Sequence, residues 1–384
     1  VLPTIATVRD AALGVAPWVP GHHRHGLDSL RPEEFTNALA GNVPGARVED
    51  LRVEIDSRGT TDRARIHLAW NAAGRDAALP ATAFAKGTSS QLAPRVIVST
   101  FGCHTYETRF FQQIHPSVAD LTIAPYVARS GSGGRYVLAF EDLALRDGGV
   151  TFYDADDDAP QEHAEAVVEL LATLHGRFWR SPRFATDLSW LQTYAGRPGG
   201  GFMKHFFTWS EKKFMAQDRV VPEPVRRLTK DYVRNQGRLT RVWEAMPQTL
   251  CHGDTHLGNT FANADGSAGI YDWQVFHRMN GLRDFAYFLM HSIPTELRRA
   301  EEKSLLERYL RVLADSGAGS DVPSFAEAWD TYRLLTVDGW IAIVFTLAAG
   351  GMQPDDRMEV TAVRAINTLV DLDVEQAVRS AIRG

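Results

Sequence analysis

His252-Gly253-Asp254-Thr255-His256-Leu257-Gly258-Asn259, followed thirteen residues later by Asp272-Trp273, holds the side chains best suited to chemistry. Asp254 can take or orient a hydroxyl proton, and Asn259 and Asp272 can hold magnesium. The HxDxxxxN spacing suits phosphoryl transfer, in which a base and a metal ligand five residues apart must both face the γ-phosphate of a nucleotide. Two other readings fit the same residues. One is a buried polar turn, with His252 and Asp254 satisfying each other beneath a β-hairpin spanning Leu250 to Trp273. The other makes His252, Asp254 and His256 metal ligands on one face of a strand. That site would need a remote partner, and His22, His23 and His25 lie in a Pro/Gly-rich stretch that reads as a solvated loop.

Phosphoryl transfer also requires a lysine on a central strand to hold the α and β phosphates, and a helix glutamate to orient it. Lys86 ends the apolar run Ala83-Phe84-Ala85, and Glu107 opens a nearby helical pattern. A turn covering the nucleotide belongs between the first two strands, where Asp56-Ser57-Arg58-Gly59-Thr60-Thr61 stands. With one glycine, its grip would come from backbone N–H groups and the hydroxyls of Ser57, Thr60 and Thr61, around Gly59. Gly131-Ser132-Gly133-Gly134 leads into a strand, so it reads as a hairpin tip and not a phosphate loop. Glu141 to Leu143 ends the β-rich part, where main-chain groups can pair with adenine. Asp154 to Asp158 mimics a calcium loop, but Ala159 stands where a sharp turn needs glycine, so a solvated acidic loop is expected. Asp284 precedes an apolar helix, as an N-cap or as a brace for the 252–259 loop.

Positioning these groups requires two kinds of scaffold. Residues 48–55, 64–70, 81–85, 123–127 and 136–140 are short β-rich or apolar segments separated by turn residues. One helix, Thr105 to Ile114, interrupts them with Tyr106, Phe110, Phe111 and Ile114 at helical spacing. From about Leu143 helical patterns dominate: 162–179, 223–246, 295–314, 325–347 and 358–382. An α+β chain is expected, with residues 1–142 an N-terminal extension plus a small β-rich nucleotide lobe, and residues 143–384 a large helical lobe carrying the 252–259 loop and the acceptor site.

The 44% hydrophobic and 23% charged composition is that of a globular protein with a sizeable core. A net charge of -6 argues against a general nucleic-acid binder but tolerates a nucleotide site. Two cysteines, Cys103 and Cys251, are too few for a disulfide framework and suit a reducing, cytoplasmic setting. The apolar run from Trp340 to Gly350 falls short of the roughly 20 residues of a membrane span and reads as a buried helix. Residues 1–21 lack the layout of a signal peptide.

These segments resemble the aminoglycoside phosphotransferase and choline kinase superfamily, nearest its ecdysteroid kinase-like branch. The likeness rests on FAK ending at Lys86, the helix with Glu107, LAFEDL at 138–143, LLATLHGRFW at 170–179, LCHGDTHLGNTF at 250–261, IYDWQ at 270–274 and GLRDFAYFL at 281–289. It implies a protein-kinase-like bilobal fold, ATP or another NTP as donor, magnesium, and a small hydroxyl-bearing acceptor. Carried over, Lys86 binds phosphates, Glu107 anchors Lys86, Asp254 is the catalytic base, Asn259 and Asp272 bind Mg2+, and His252 is structural. The glycine-poor covering turn departs from the pattern. An alternative is a nucleotide-binding sensor or scaffold without transfer activity, and a third reading is a metal-dependent hydrolase. The acceptor is expected against the insert from about Ser181 to Gln248 and the helices after Thr295. Phe206, Trp209, Trp329, Tyr332 and Trp340 are candidate lining, and Glu296, Glu301, Glu302, Asp355, Asp356 and Glu359 are acids that a cationic acceptor would use.

Overall fold

The structure is a computed structural model that describes residues 26–196, 200–350 and 355–383, with Arg9, Ala12 and Leu13. His22, His23 and His25, most of residues 1–21, and the side chains of Asp355 and Asp356 lie outside the described residues. The chain divides into two compact units. The first is Val1–Val150 with Tyr271–Val275; the second is Thr151–Ile270 with Phe276–Gly384.

In the first unit the described elements are α1 (Pro32–Leu39), β1 (Val48–Arg58), β2 (Thr61–Trp70), α2 (Ala72–Asp76), β3 (Thr82–Thr88), α3 (Leu92–Thr100), α4 (Cys103–Arg109), β4 (Pro125–Ser130) and β5 (Tyr136–Glu141). The strands form one antiparallel sheet in the order β1-β2-β3-β5-β4. Alternation sets its two faces. Ala64, Ile66 and Leu68 of β2 bury with Ala83, Ala85, Val137 and Ala139 against Leu27, Leu30 and Phe35. The intervening residues Arg63 and Arg65 of β2, and Lys86 of β3, therefore occupy the opposite face.

The expected helix is α4, which continues from Phe110 to Ile114 as a wider turn with Phe110, Phe111 and Ile114 buried. It is accompanied by α1, α2 and α3, where one helix was expected. A proline within its first turn and several β-branched residues hide α3 in the sequence. Only five residues long, α2 is defined mainly by Asn71, whose side chain accepts the Gly74 N–H at 3.1 Å. Gly131 to Gly134 is the tip of the β4–β5 hairpin, closed by Gly131 N–H to Arg135 O at 2.7 Å.

β6 (Val150–Phe152) begins at the boundary, and the described elements of the second unit after it are α5 (Gln161–Arg177), α6 (Gly200–Met215), α7 (Glu223–Ala245), β7 (Thr249–Cys251), β8 (Thr260–Asn263), β9 (Ala268–Ile270), β10 (His277–Met279), α8 (Leu282–Ser292), α9 (Thr295–Leu313), α10 (Phe325–Ala349), α11 (Asp355–Asp371) and α12 (Val374–Arg383). Two expectations are corrected here. Leu250 to Trp273 is not one hairpin, because β7 pairs with β10 while β8 pairs with β9. The helix expected over 358–382 breaks into α11 and α12 at Asp373, whose φ of 47° lies in the left-handed region that no helix interior accepts. α10 is long and apolar enough to cross a membrane, yet 72% of its most apolar window is buried within the protein, as a core helix would be.

The acidic loop is held by arginines of α11. Arg357 pairs with Asp154 at 3.1 Å and Asp156 at 3.3 Å, and Arg364 with Asp158 at 2.7 Å. Its carboxylates thus serve to dock a helix.

Candidate active site

Lys86, Glu107 and Asp272 come together inside the first unit. Lys86 Nζ lies 2.5 Å from Glu107 Oε1 and 3.0 Å from Asp272 Oδ1, and its side chain is only 6% exposed. Burial works against the ammonium, but Asp272 and Glu107 outweigh it and raise the Lys86 pKa, so the amine stays charged. Burial pushes Glu107 up to about 7, with Lys86 pulling the other way. Asp272 adopts φ 67°, a left-handed backbone that aspartate tolerates better than most residues. Its neighbour Trp273 fixes the segment: the indole stacks on Phe110 at 3.9 Å and donates Nε1–H to Thr122 Oγ1 at 3.0 Å.

Asp254 and Asn259 come together inside the second unit. Asn259 Nδ2 donates to the Asp254 backbone oxygen at 2.8 Å and to Oδ2 at 3.3 Å. The amide oxygen is then the atom Asn259 has to offer a cation. An amide oxygen and the Asp272 carboxylate are hard donors, so the residue types fit magnesium. Tyr287 of α8 donates its hydroxyl to Asp254 Oδ1 at 2.9 Å, while the Asp254 side chain stays 38% exposed. An oriented yet accessible carboxylate is what a proton acceptor requires.

The loop around Asp254 is braced by Asp284, which accepts the His252 N–H at 2.5 Å and the Gly253 N–H at 3.1 Å. Asp284 lies inside α8 and is no N-cap; of the two roles expected for it, bracing is the one the structure shows. Burial alone would raise its pKa, but His175 and Arg283 hold it well below the usual carboxylate range. Gly253 adopts φ 89°, which only glycine reaches without strain, and this reverses the chain between His252 and Asp254. The loop is therefore not a strand, and His252, Asp254 and His256 do not share a face. His252 Nδ1 instead accepts the Asp254 N–H at 3.2 Å. The three-ligand metal reading has no geometric support.

The segments expected to cover the nucleotide and to pair with adenine are more constrained than the sequence implied. Gly59 O accepts from Ser89 Oγ at 2.9 Å, Gly59 N–H donates to Thr61 O at 3.1 Å, and Thr61 is buried; Ser57 and Thr60 are exposed. Glu141 N–H donates to Ala124 O at 2.9 Å, so this N–H is already taken within the protein. Its carboxylate is held by Arg146. Leu143 is buried at the start of a short 3-10 turn that Asp142 caps.

Helices expected to surround an acceptor border an open pocket of about 700 Å³ lined by Phe214, Trp340, Leu347, Ala362 and Ile366, with Arg219 and Glu359 also lining it. Of the other expected aromatics, Trp209 is exposed, Tyr332 is buried in the core, and Phe206 and Trp329 are half-buried. Of the four expected acids whose side chains are described, three pair with arginines: Glu296 with Arg299, Glu302 with Arg298, and Glu359 with Arg219. Two residues the sequence did not single out also stand here: Tyr287 beside Asp254, and Arg63 beside Asp272. Tyr287 lies about one helical turn beyond Asp284, a spacing that alone does not reveal its contact with Asp254.

The model of the ecdysteroid kinase-like family matches residues 63–318, two thirds of the chain. The chain belongs to that family. No curated protein sequence matches this ecdysteroid kinase-like chain. Among solved structures, an ethanolamine kinase from Plasmodium vivax is 12% identical, with 93% of this chain and 87% of that one covered at a TM-score of 0.50. A choline kinase from Cryptosporidium parvum is 11% identical, with 87% and 94% covered at 0.50. At these identities the likeness concerns the fold: an N-terminal antiparallel five-stranded sheet and a mainly helical C-terminal part, which this ecdysteroid kinase-like chain shares.

Proposed function

We propose that the protein transfers the γ-phosphate of ATP, or another NTP, to a hydroxyl of a small molecule. The observation that carries this reading is the buried lysine held between Glu107 and Asp272, residues far apart in sequence whose joint use is characteristic of phosphate binding in kinases. Lys86 holds phosphate oxygens, and Glu107 fixes Lys86. Asp254, oriented by Tyr287 and Asn259, accepts the proton of the attacking hydroxyl. Asn259 and Asp272 are the residues to hold magnesium, which when bound neutralises charge on the phosphate oxygens.

The family name and the choline and ethanolamine kinases of like fold point to the same class of chemistry. The pairing of Glu296, Glu302 and Glu359 with arginines weighs against a polycationic acceptor. We expect the protein in the cytoplasm, consistent with two free cysteines, one buried and one half-buried.

A screen of hydroxyl compounds with labelled ATP and magnesium tests the proposal. Once an acceptor is found, Asp254→Asn is expected to lower kcat by about 10²–10⁴. Unchanged turnover in that variant would refute the mechanism. Nucleotide binding with no transfer across a broad acceptor panel would favour a binding protein instead.

A further inference from the structure

Lys86 shares the Asp272 carboxylate with a second cation. Arg63 on β2 stands directly opposite Lys86 on β3, and opposed residues of an antiparallel pair project from the same face. Arg63 Nη2 lies 3.7 Å from Asp272 Oδ2, a loose ion pair, and its side chain is 48% exposed. The next cationic or titratable residues along this face of β2 are engaged more closely. Arg65 Nε bonds Asp142 Oδ2 at 3.1 Å, and His67 Nε2 lies 2.9 Å from Glu54 Oε2. Arg63 is thus the half-exposed guanidinium beside the buried amine.

The turn that should cover the phosphates is poorly equipped to do so. Its only glycine, Gly59, has its N–H bonded to Thr61 O and its carbonyl bonded to Ser89, and Thr61 is buried. A Cβ added at Gly59 would meet nothing within 4 Å, so the glycine is not there for close packing. Just beyond, Asp62 Oδ2 accepts the Ser90 N–H at 3.0 Å, tying the turn to the chain after β3.

We infer that Arg63 is a phosphate-binding residue: its guanidinium leaves the edge of Asp272 and takes oxygens of the bound nucleoside triphosphate. A side chain thereby supplies the positive charge and N–H donors that a glycine-rich turn would supply from backbone. A guanidinium suits this role because its donors are fixed in a planar fork that matches phosphate oxygens. This inference rests on the nucleotide reading proposed above.

Calorimetric titration of the full chain with ATP in magnesium buffer tests it, comparing the wild type with Arg63→Met, Arg63→Gln and Arg63→Lys. Both neutral variants are expected to bind ATP roughly tenfold to a hundredfold more weakly, as for loss of a charge-assisted contact. Arg63→Lys should stay within a few-fold of the wild type, and unliganded melting temperatures should be nearly unchanged because Arg63 is half exposed. Arg63→Gln carries the comparison where Arg63→Met does not fold. Wild-type affinity in the neutral variants overturns the inference and leaves the nucleotide reading standing. A wild type that binds neither ATP nor GTP under these conditions overturns both.

Discussion

Asp254 is held by a phenol, and that contact separates orientation from binding. Burial first, then the Asp254 charge, raise the Tyr287 pKa well above the ordinary tyrosine value, so its hydroxyl remains a donor at neutral pH. The ring is held independently: Arg283 lies 4.5 Å above it, and the His291 ring is 3.8 Å away. Tyr287→Phe therefore removes one charge-assisted hydrogen bond and leaves the ring in place. Such a bond contributes roughly 1.5–3 kcal/mol, so kcat is expected to fall by about tenfold or more, with the KM for ATP nearly unchanged. Steady-state kinetics on an identified acceptor separate the two parameters. A raised KM with intact kcat would mean that Tyr287 does not act through Asp254.

The helix α8 joins the loop, its brace and a pH-sensitive core. Asp284, Tyr287 and His291 recur at three- and four-residue spacing, so one face of a wholly buried helix carries these three polar side chains. Burial, followed by His256, lowers His291 to about 3, and burial lowers His163 to about 4. Both values lie below the unfolded histidine value near 6.5, so the unfolded chain binds more protons in that range. The stability these neutral imidazoles contribute is present above about pH 6.5 and is lost as pH falls toward 4 and 3. The melting temperature is expected to drop as pH is lowered from about 6.5 to 4, and His291→Gln to drop less steeply. An identical slope in that variant would exclude His291. The same helix shows what the sequence could reveal. That Lys86 would stand beside Glu107, and Asp254 beside Asn259, was legible because phosphoryl transfer would demand those residue types at those spacings. The strands β1 to β5 were legible from apolar segments bounded by turn residues. Tyr287 and Arg63 were not identified as site residues, because each acquires its role from a tertiary partner, Asp254 for one and Lys86 with Asp272 for the other. The same holds for β7, whose pairing with β10 and not β9 is a matter of long-range register.

At the scale of the whole molecule, the first unit is not one stretch of chain. It is completed by Tyr271–Val275, which returns after β9 and leaves again before β10. Those five residues bring Asp272 to Lys86 and insert Trp273 into the core, where it is fully buried against Phe110. Removing a buried tryptophan side chain costs about 3–5 kcal/mol, a large share of the typical stability of about 5–15 kcal/mol. Trp273→Ala in the full chain is therefore expected to lower the stability measured by urea unfolding by about that amount. Trp273→Phe, which keeps a ring for Phe110 and forfeits the bond to Thr122, should cost less. The expected stabilisation by ATP and magnesium should weaken in Trp273→Ala, because the variant loosens the segment that carries Asp272, and thermal unfolding with and without the nucleotide measures this directly. If Trp273→Ala unfolded like the wild type, the returning segment would not be a structural part of the first unit. Asp272 would then need another anchor to hold its left-handed backbone beside Lys86.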